Sequence, residues 1–342
     1  MEATTSAEDR VAALRRALEK DGQLPPELQD LSGESFVEAD LSGLDLTGCN
    51  FSGCDMTGCN LTKARCPSAN FDGATLHKAM LDGAEFLGST FVGTNLSECS
   101  AKGTGFGMTD QTDASFFNAR LEEAKFVDAQ LRRTNFANAK AANVRMLEAS
   151  LEGADFSNAD LSGAELSETD LAGARFRYAK LLGAQLREVN NYTKADWIGA
   201  DIRDIDFTGA YLVRNFIIDE NYLYEFRNQS SVTRAVYWVW KNTSDCGRSM
   251  VRWGGFLALN VLLFAIIYWA MGPTHLDNMP DKHGFIHYLY FSVVTFTTLG
   301  YGDITPITAA GRAVLIIHIA IGYLGLGALL SILATKFASR GH

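Results

Sequence analysis

The sequence predicts a multidomain chain: a coil that turns a corner every five residues, followed by an α-helical hairpin in a membrane. Three observations carry this. From Leu41 to Leu186 nearly every fifth residue is Leu, Phe or Met. Near the C-terminus lie two apolar stretches, each long enough to cross a bilayer. Hydrophobic residues nonetheless make up only 47% of the 342, an ordinary average, so the membrane part is concentrated in a small share of the chain.

The formal charge of −10 argues against a nucleic-acid binder, because phosphate binding needs clustered Lys and Arg. The first thirty residues are polar, with a short helical pattern in "SAEDRVAALRRALEKDG" and no apolar signal-like run after Met1. A cytoplasmic N-terminus is expected. Residues 1–32 read as a helix or cap, 33–214 as the repeat, 215–250 as a linker with interfacial helices, and 251–342 as the membrane domain.

The repeat runs through about thirty pentapeptides without a break. Its central residues include Leu46, Phe51, Met56, Leu61, Phe71, Leu76, Phe86, Phe156 and Phe176, with exceptions at Cys66, Ala101, Gln111 and Ala141. Two residues before each centre stands a small residue, usually Ala. Neither a helix of period 3.6 nor a strand of period 2 puts every fifth residue on one side. A coil with a corner at each repeat does, and both the large and the small residue then point inward. After Leu186 the phase slips by one in "REVNNYTKAD" and resumes at Trp197, Ile202, Phe207 and Leu212, which predicts a one-residue bulge or loop. Cys49, Cys54 and Cys59 are five apart, which fits no zinc spacing. They read as small buried residues.

These pentapeptides, "ADLSG", "ANFDG" and "ADFSN" among them, resemble the pentapeptide-repeat family, A(D/N)LXX. The resemblance implies a right-handed quadrilateral β-helix with four pentapeptides per coil. That means about eight coils and a tower roughly 40 Å tall at the spacing of adjacent strands. Residues twenty apart then stack, as Cys59, Ala79 and Cys99 should. Asp and Asn before the centre read as structural. The repeat specifies a shape and not a chemistry: a rigid spacer, or an interaction tower for an unidentified cytoplasmic ligand or protein.

Past Leu212 the sequence turns aromatic and basic, with a break at "TSDCGRS". Tyr237, Trp238, Trp240 and Trp253 suit a membrane–water interface; a cap on the open end of the β-helix is the other reading. Cys246 has no role in the repeat. Trp253 to Met271 carries no charge and one amide, Asn260, and as a helix it measures about 28 Å, enough for a hydrocarbon core. A second span covers about 312–335. Arg248 and Arg252 precede the first span, Lys336 and Arg340 follow the second, and the connection between them holds only Lys282. This asymmetry places both termini inside, in a multi-pass protein of the plasma (inner) membrane.

The connection itself, "HGFIHYLYFSVVTFTTLGYGDITP", is too apolar for an exposed loop and too short to span. It reads as a half-helix over 285–296 that enters the bilayer and returns as extended backbone. Irregular backbone at that depth must be buried in protein or line a water-filled cavity. One hairpin cannot bury it, whereas several copies around an axis can.

Thr295, Thr298, Gly300, Tyr301 and Gly302 together spell TxxTxGYG. From about Trp253 to Phe337 the chain therefore resembles a two-transmembrane bacterial potassium channel, with Leu299 where Val is commonest. The resemblance implies a homotetramer in a lipid bilayer. In it, carbonyls of Thr298, Leu299, Gly300 and Tyr301, with the Thr298 hydroxyl, replace the water shell of a permeant K⁺ and make 298–302 the filter. It places Tyr290 and Phe291 in an aromatic cuff against which Tyr301 packs, Thr295 in support, and Asp303 at the outer mouth. Val294 stands where some relatives carry a glutamate paired with that Asp. Gly322 aligns with a hinge glycine, and Leu326, Leu330 and Ala334 follow at a spacing suited to an apolar gate. Gly325 and Gly327 read as helix-packing glycines, and His318 as a helix contact. No organic cofactor, nucleic-acid partner or enzymatic activity is indicated. The competing readings are a membrane-anchored binding module, whose hairpin is only an anchor, and a non-selective cation pore.

Overall fold

In the computed structural model, residues 7–21, 23–205, 207, 210–279 and 284–338 are described. They form two units, Met1–Tyr224 and Glu225–His342. Lys282 and Arg340, which enter the charge argument above, lie outside the described residues.

The first unit is a four-sided β-helix. Parallel bridges join each residue before a centre to the residue twenty further on, from Asp30↔Asn50 through Asp170↔Asn190. One coil is therefore four pentapeptides. The bridges start before Leu41, because Leu31 and Phe36 are also fully inward centres. The exceptions Cys66, Ala101, Gln111 and Ala141 are buried at centres as well.

The chain turns each corner by the same local device. The carbonyl of a centre accepts from the amide three residues on, as in Ala64 N to Leu61 O at 2.9 Å. The residue two past the centre takes a left-handed φ, for example +66° at Gly53 and +56° at Lys63. This explains the frequent Gly there, since only Gly enters that region without steric cost. The Asp or Asn before the centre accepts from the amide two residues on, as in Ser42 N to Asp40 Oδ1 at 3.2 Å and Thr62 N to Asn60 Oδ1 at 3.0 Å. Its role is to fix the turn.

Inside, large residues stack in columns. Phe116, Phe136, Phe156, Phe176 and Trp197 lie parallel at 5.2, 4.9, 5.1 and 4.4 Å between ring centroids. Each buried aromatic contributes roughly 1.5–3 kcal/mol from area alone, and each ring pair about 0.5–1.5 kcal/mol more. Trp197 continues this column twenty-one residues after Phe176 because one residue is inserted at the phase slip. The bridges change accordingly to Arg175↔Asp196 and Lys180↔Asp201. Asn191, at φ +55°, opens the short 3₁₀ turn Tyr192–Lys194 that takes up the extra residue.

Helices close both ends. α1 (Ala7–Asp21) buries Leu14 against the core and pairs Arg10 with Glu34 and Arg15 with Asp40. α2 (Tyr211–Gln229) buries Val213 and Ile217 in the same core. Its Asn221 accepts from Gly199 N at 2.6 Å and donates to Trp197 O at 3.2 Å. The part of the chain from 215 onward, expected as linker, thus begins as a cap. An uncapped last coil would leave its apolar interior and strand edges bare.

The second unit is helical: α3 (Ser231–Ser244), α4 (Met250–Met271), α5 (Phe285–Phe296) and α6 (Ala309–Ala338). A Ser230–Thr233 capping box starts α3. The expected break falls at Asp245, Cys246 and Gly247, all at left-handed φ. α4 and α6 are each long and apolar enough to cross a bilayer, and begin three residues earlier than expected. α5 coincides with the predicted half-helix. Two short strands, β1 (Leu276–Asp277) and β2 (Thr305–Pro306), pair antiparallel and tie the two ends of the connection together. His275 Nδ1 and Thr308 Oγ1, 2.7 Å apart, brace that tie.

Candidate functional site

α5 is held between α4 and α6 by specific contacts. Ser292 donates its hydroxyl to Val261 O of α4 at 2.7 Å. Phe291 packs edge-on against Tyr268 of α4 at 4.8 Å. On the other side, the backbone of Phe296 lies against α6 at Gly322, where a Cβ would come within 2.5 Å of the Phe296 carbonyl oxygen. Gly322 is therefore a close-packing glycine. Gly325 is one too, with Leu257 at 2.7 Å from an added Cβ, whereas nothing lies within 4 Å of Gly327 in its own chain. His318 is buried between α4 and α5, stacked on Phe264 at 4.0 Å, with its Nδ1 3.2 Å from the Tyr268 hydroxyl. It is a helix contact. Trp253 Nε1 donates to Gly325 O at 3.0 Å and fastens the start of α4 to the middle of α6.

The segment after α5 stands out against this packing. Residues 298–303 are all exposed, although they lie between buried Phe296 and buried Ile304. Thr298, Gly300 and Gly302 have φ of +58°, +54° and +73°, so every second residue is left-handed. Among the described residues, none of the carbonyls from Thr298 to Gly302 accepts a backbone or side-chain hydrogen bond. Such a run of unused carbonyls is costly unless water or a ligand uses it. Left-handed φ at Thr298 is notable because a β-branched residue rarely enters that region. The two glycines are legible in the sequence; this third position is not.

Asp303 accepts from the Tyr290 hydroxyl at 2.7 Å. That bond is the main cause holding its carboxyl below the usual carboxylate range. Thus Tyr290 reaches the carboxylate that Val294, a buried hydrocarbon, cannot pair. The sequence left this bond unassigned, since thirteen residues and a turn separate the partners. Tyr301 differs from expectation: it is 66% exposed and does not bury its ring on the α5 of its own chain. A cleft of about 360 Å³, lined by Thr295, Tyr301, Asp303, Leu315 and Ile319 among others, separates the loop from α6. On α6, Leu326 is half-buried while Leu330 and Ala334 are exposed.

The cysteines of the β-helix, Cys49, Cys54, Cys59, Cys66 and Cys99, are buried free thiols, and Cys246 is half-buried. Burial pushes the Cys59 thiol up to about 12. Among the described residues no cluster of His, Cys, Asp or Glu is arranged to hold a metal ion.

Two helices long and apolar enough to cross a bilayer, with a half-helix and a loop of unused carbonyls between them, are the features to set beside known proteins. Residues 256–339 match the family described as ion channel, and residues 35–65, 69–104 and 109–186 match pentapeptide repeats. The chain joins an ion-channel domain to a pentapeptide-repeat β-helix; neither family is an enzyme. Residues of the channel domain are similar to two pore potassium channel c of Oryza sativa subsp. japonica, 37% identical over 75 residues, 20% of this chain and 16% of that protein. They are also similar to two-pore potassium channel 5 of Arabidopsis thaliana, 30% identical over 91 residues, 27% and 22% of the two chains. A third relative is the human potassium voltage-gated channel subfamily A member 5, 40% identical over 63 residues, 17% and 9%. The chain thus spans about a fifth or less of the length of these relatives. Among solved structures, QnrB1, a plasmid-mediated fluoroquinolone resistance protein, aligns at TM-score 0.37 and 23% identity over 48% of this chain and 83% of its own. HetL, a pentapeptide repeat protein from Nostoc, aligns at 0.21 and 24% over 53% and 85%.

Proposed function

We propose that this chain is a potassium-selective channel that conducts K⁺ passively through a homotetrameric pore. The observation that carries the reading is the loop 298–302, whose carbonyls are exposed and unused at the end of a half-helix between two spans. Alternating left-handed φ turns successive carbonyls toward one side. Four copies around an axis give each dehydrated ion a cage made of the Thr298, Leu299, Gly300 and Tyr301 carbonyls and the Thr298 hydroxyl. The C-terminal end of α5 adds a partial negative charge that favours a cation. Asp303 raises the local cation concentration at the mouth, and Thr295 and Phe291 support the loop from α5. The relatives named as potassium channels support K⁺ as the ion carried.

In this reading the protein is multi-pass in the plasma membrane with both termini cytoplasmic. Gly322 and the row Leu326, Leu330 and Ala334 form the region that opens and closes. The β-helix serves assembly or regulation. Purified full-length protein in liposomes tests the proposal: K⁺ flux with a bi-ionic potential strongly favouring K⁺ over Na⁺ is expected, and Gly300→Ala should abolish it. Space does not decide the outcome at Gly300, because nothing lies within 4 Å of an added Cβ; φ of +54° does. Intact flux in Gly300→Ala, or equal permeability to Na⁺, would overturn the reading.

A further inference from the structure

One face of the β-helix differs from the other three. Its outward row just past the centres reads Pro67, Leu87, Gly107, Val127 and Leu147, five apolar or bare positions on five successive coils. Leu87 is 53% exposed, and Met108, beside the row, 65%. Gly107 is not at left-handed φ, and an added Cβ there would meet Leu87 at an ordinary 3.4 Å. The fold therefore does not require Gly at 107; its effect is to flatten the middle of the row.

The charges beside this row are arranged by sign. On one side stand Lys125 and Arg145, bridged one above the other. On the other side, at the same two levels, stand Asp128 and Glu148. Among the described residues, Lys125, Asp128 and Glu148 enter no ion pair within the chain, whereas Arg145 pairs with Glu165 at 2.9 Å.

We propose that this face is the contact between β-helices of two copies of this chain, paired about a twofold axis that runs along the Leu87–Gly107–Val127 row. This rests on the multi-copy channel reading, in which copies sharing a pore run in the same direction. Rotation about such an axis lays the apolar row on itself. It brings Lys125 of one copy opposite Asp128 of the other, and Arg145 opposite Glu148, twice each by symmetry. Gly107 meets its own image and lets the two backbones approach. The match ends one coil further, where Glu165 would face Glu168, so the contact is limited to the middle of the face. Joining copies through a common pore raises their effective concentration, which lets a modest patch suffice. Four copies would then pair off as two dimers.

The test uses full-length protein carrying Cys246→Ser, since the other native thiols are buried and unreactive. Leu87→Cys is treated with a short bismaleimide, and Ala137→Cys on the opposite face, half a coil away, serves as control. We expect Leu87→Cys chains to link into dimers and no larger species, at least about tenfold more than the control. Adding Lys125→Glu should cut the yield about fivefold, and adding Asp128→Lys as well should restore it. Native mass is measured in parallel. A tetramer with no selective linkage at Leu87, or with linkage running on to trimers and tetramers, sinks the face proposal and leaves the channel reading intact. A native dimer linked at Leu87 supports the face and sinks the tetramer. A native monomer sinks both.

Discussion

Gln111 occupies a central position of the β-helix where Leu, Phe or Met is the rule, and neither its amide nitrogen nor its amide oxygen has a partner. A buried amide without hydrogen bonds costs about 1–3 kcal/mol by the mutational scale. Gln111→Leu should therefore stabilise the β-helix by a similar amount and raise Tm by about 2–4 °C for each kcal/mol gained, read by thermal melting of the full chain. An unchanged or lower Tm would mean that the amide is satisfied in solution. At the loop, Tyr290→Phe removes the hydroxyl that holds the Asp303 carboxyl low. The native Asp303 stays charged above its lowered pKa, and its charge is lost as pH falls through that value. Without Tyr290 the pKa returns upward, so K⁺ flux should decline at a higher external pH than in the parent. A flux–pH curve that does not move would sever Tyr290 from Asp303. Gly300, Gly302 and Asp303 could be read from the sequence because their types are specific. The Tyr290–Asp303 bond and the left-handed Thr298 could not, because each depends on how a turn folds back.

Helices and coils were legible to the degree that their residues repeat. The five-residue period marked the β-helix and its slip, because every centre must point inward. The caps were harder: α2 buries only Val213, Ile217 and Leu223 out of nineteen residues, too sparse a pattern to separate a cap from a linker. α6 shows how a glycine reads differently in place. Gly322→Ala drives a methyl group into the backbone of Phe296, which cannot give way as a side chain would. It should lower K⁺ flux at least about tenfold or prevent assembly. Gly327→Ala should keep near-parental flux. Equal tolerance at the two sites would argue that α5 is not held by α6 as described. In the β-helix, deleting residues 151–170 removes one full coil and leaves every column in register. Deleting 151–155 keeps the centres inward but sets Phe136 over Leu161 and turns the later faces by a quarter. The shorter deletion should therefore cost more stability than the longer one, as compared by chemical denaturation.

At the scale of the whole chain, two units with different solvents share one composition. The average hydrophobicity hid the membrane unit, and only its local concentration at 250–271 and 309–338 disclosed it. The number of copies is not written in any single chain. The proposed multi-copy pore draws on what one chain leaves open: a loop of unused carbonyls and an exposed Tyr301. If Tyr301 completes its packing only against another copy, Tyr301→Ala should weaken the assembly, seen as subunit loss by native mass, while the melting of the β-helix is unchanged. Removing residues 1–214 and recording single channels asks whether the β-helix governs opening. Unchanged opening and assembly would reduce it to a tether.

The inserted residue at Asn191 bears on how so uniform a structure finds one alignment. Coils that differ little from their neighbours could slip past one another by a full turn at small cost, like identical stairs miscounted in the dark. A single step of odd height removes that ambiguity, because only one alignment brings the stair above it level. The irregular turn before Trp197 acts as that step, and straightening it by deletion should leave a population of misregistered chains.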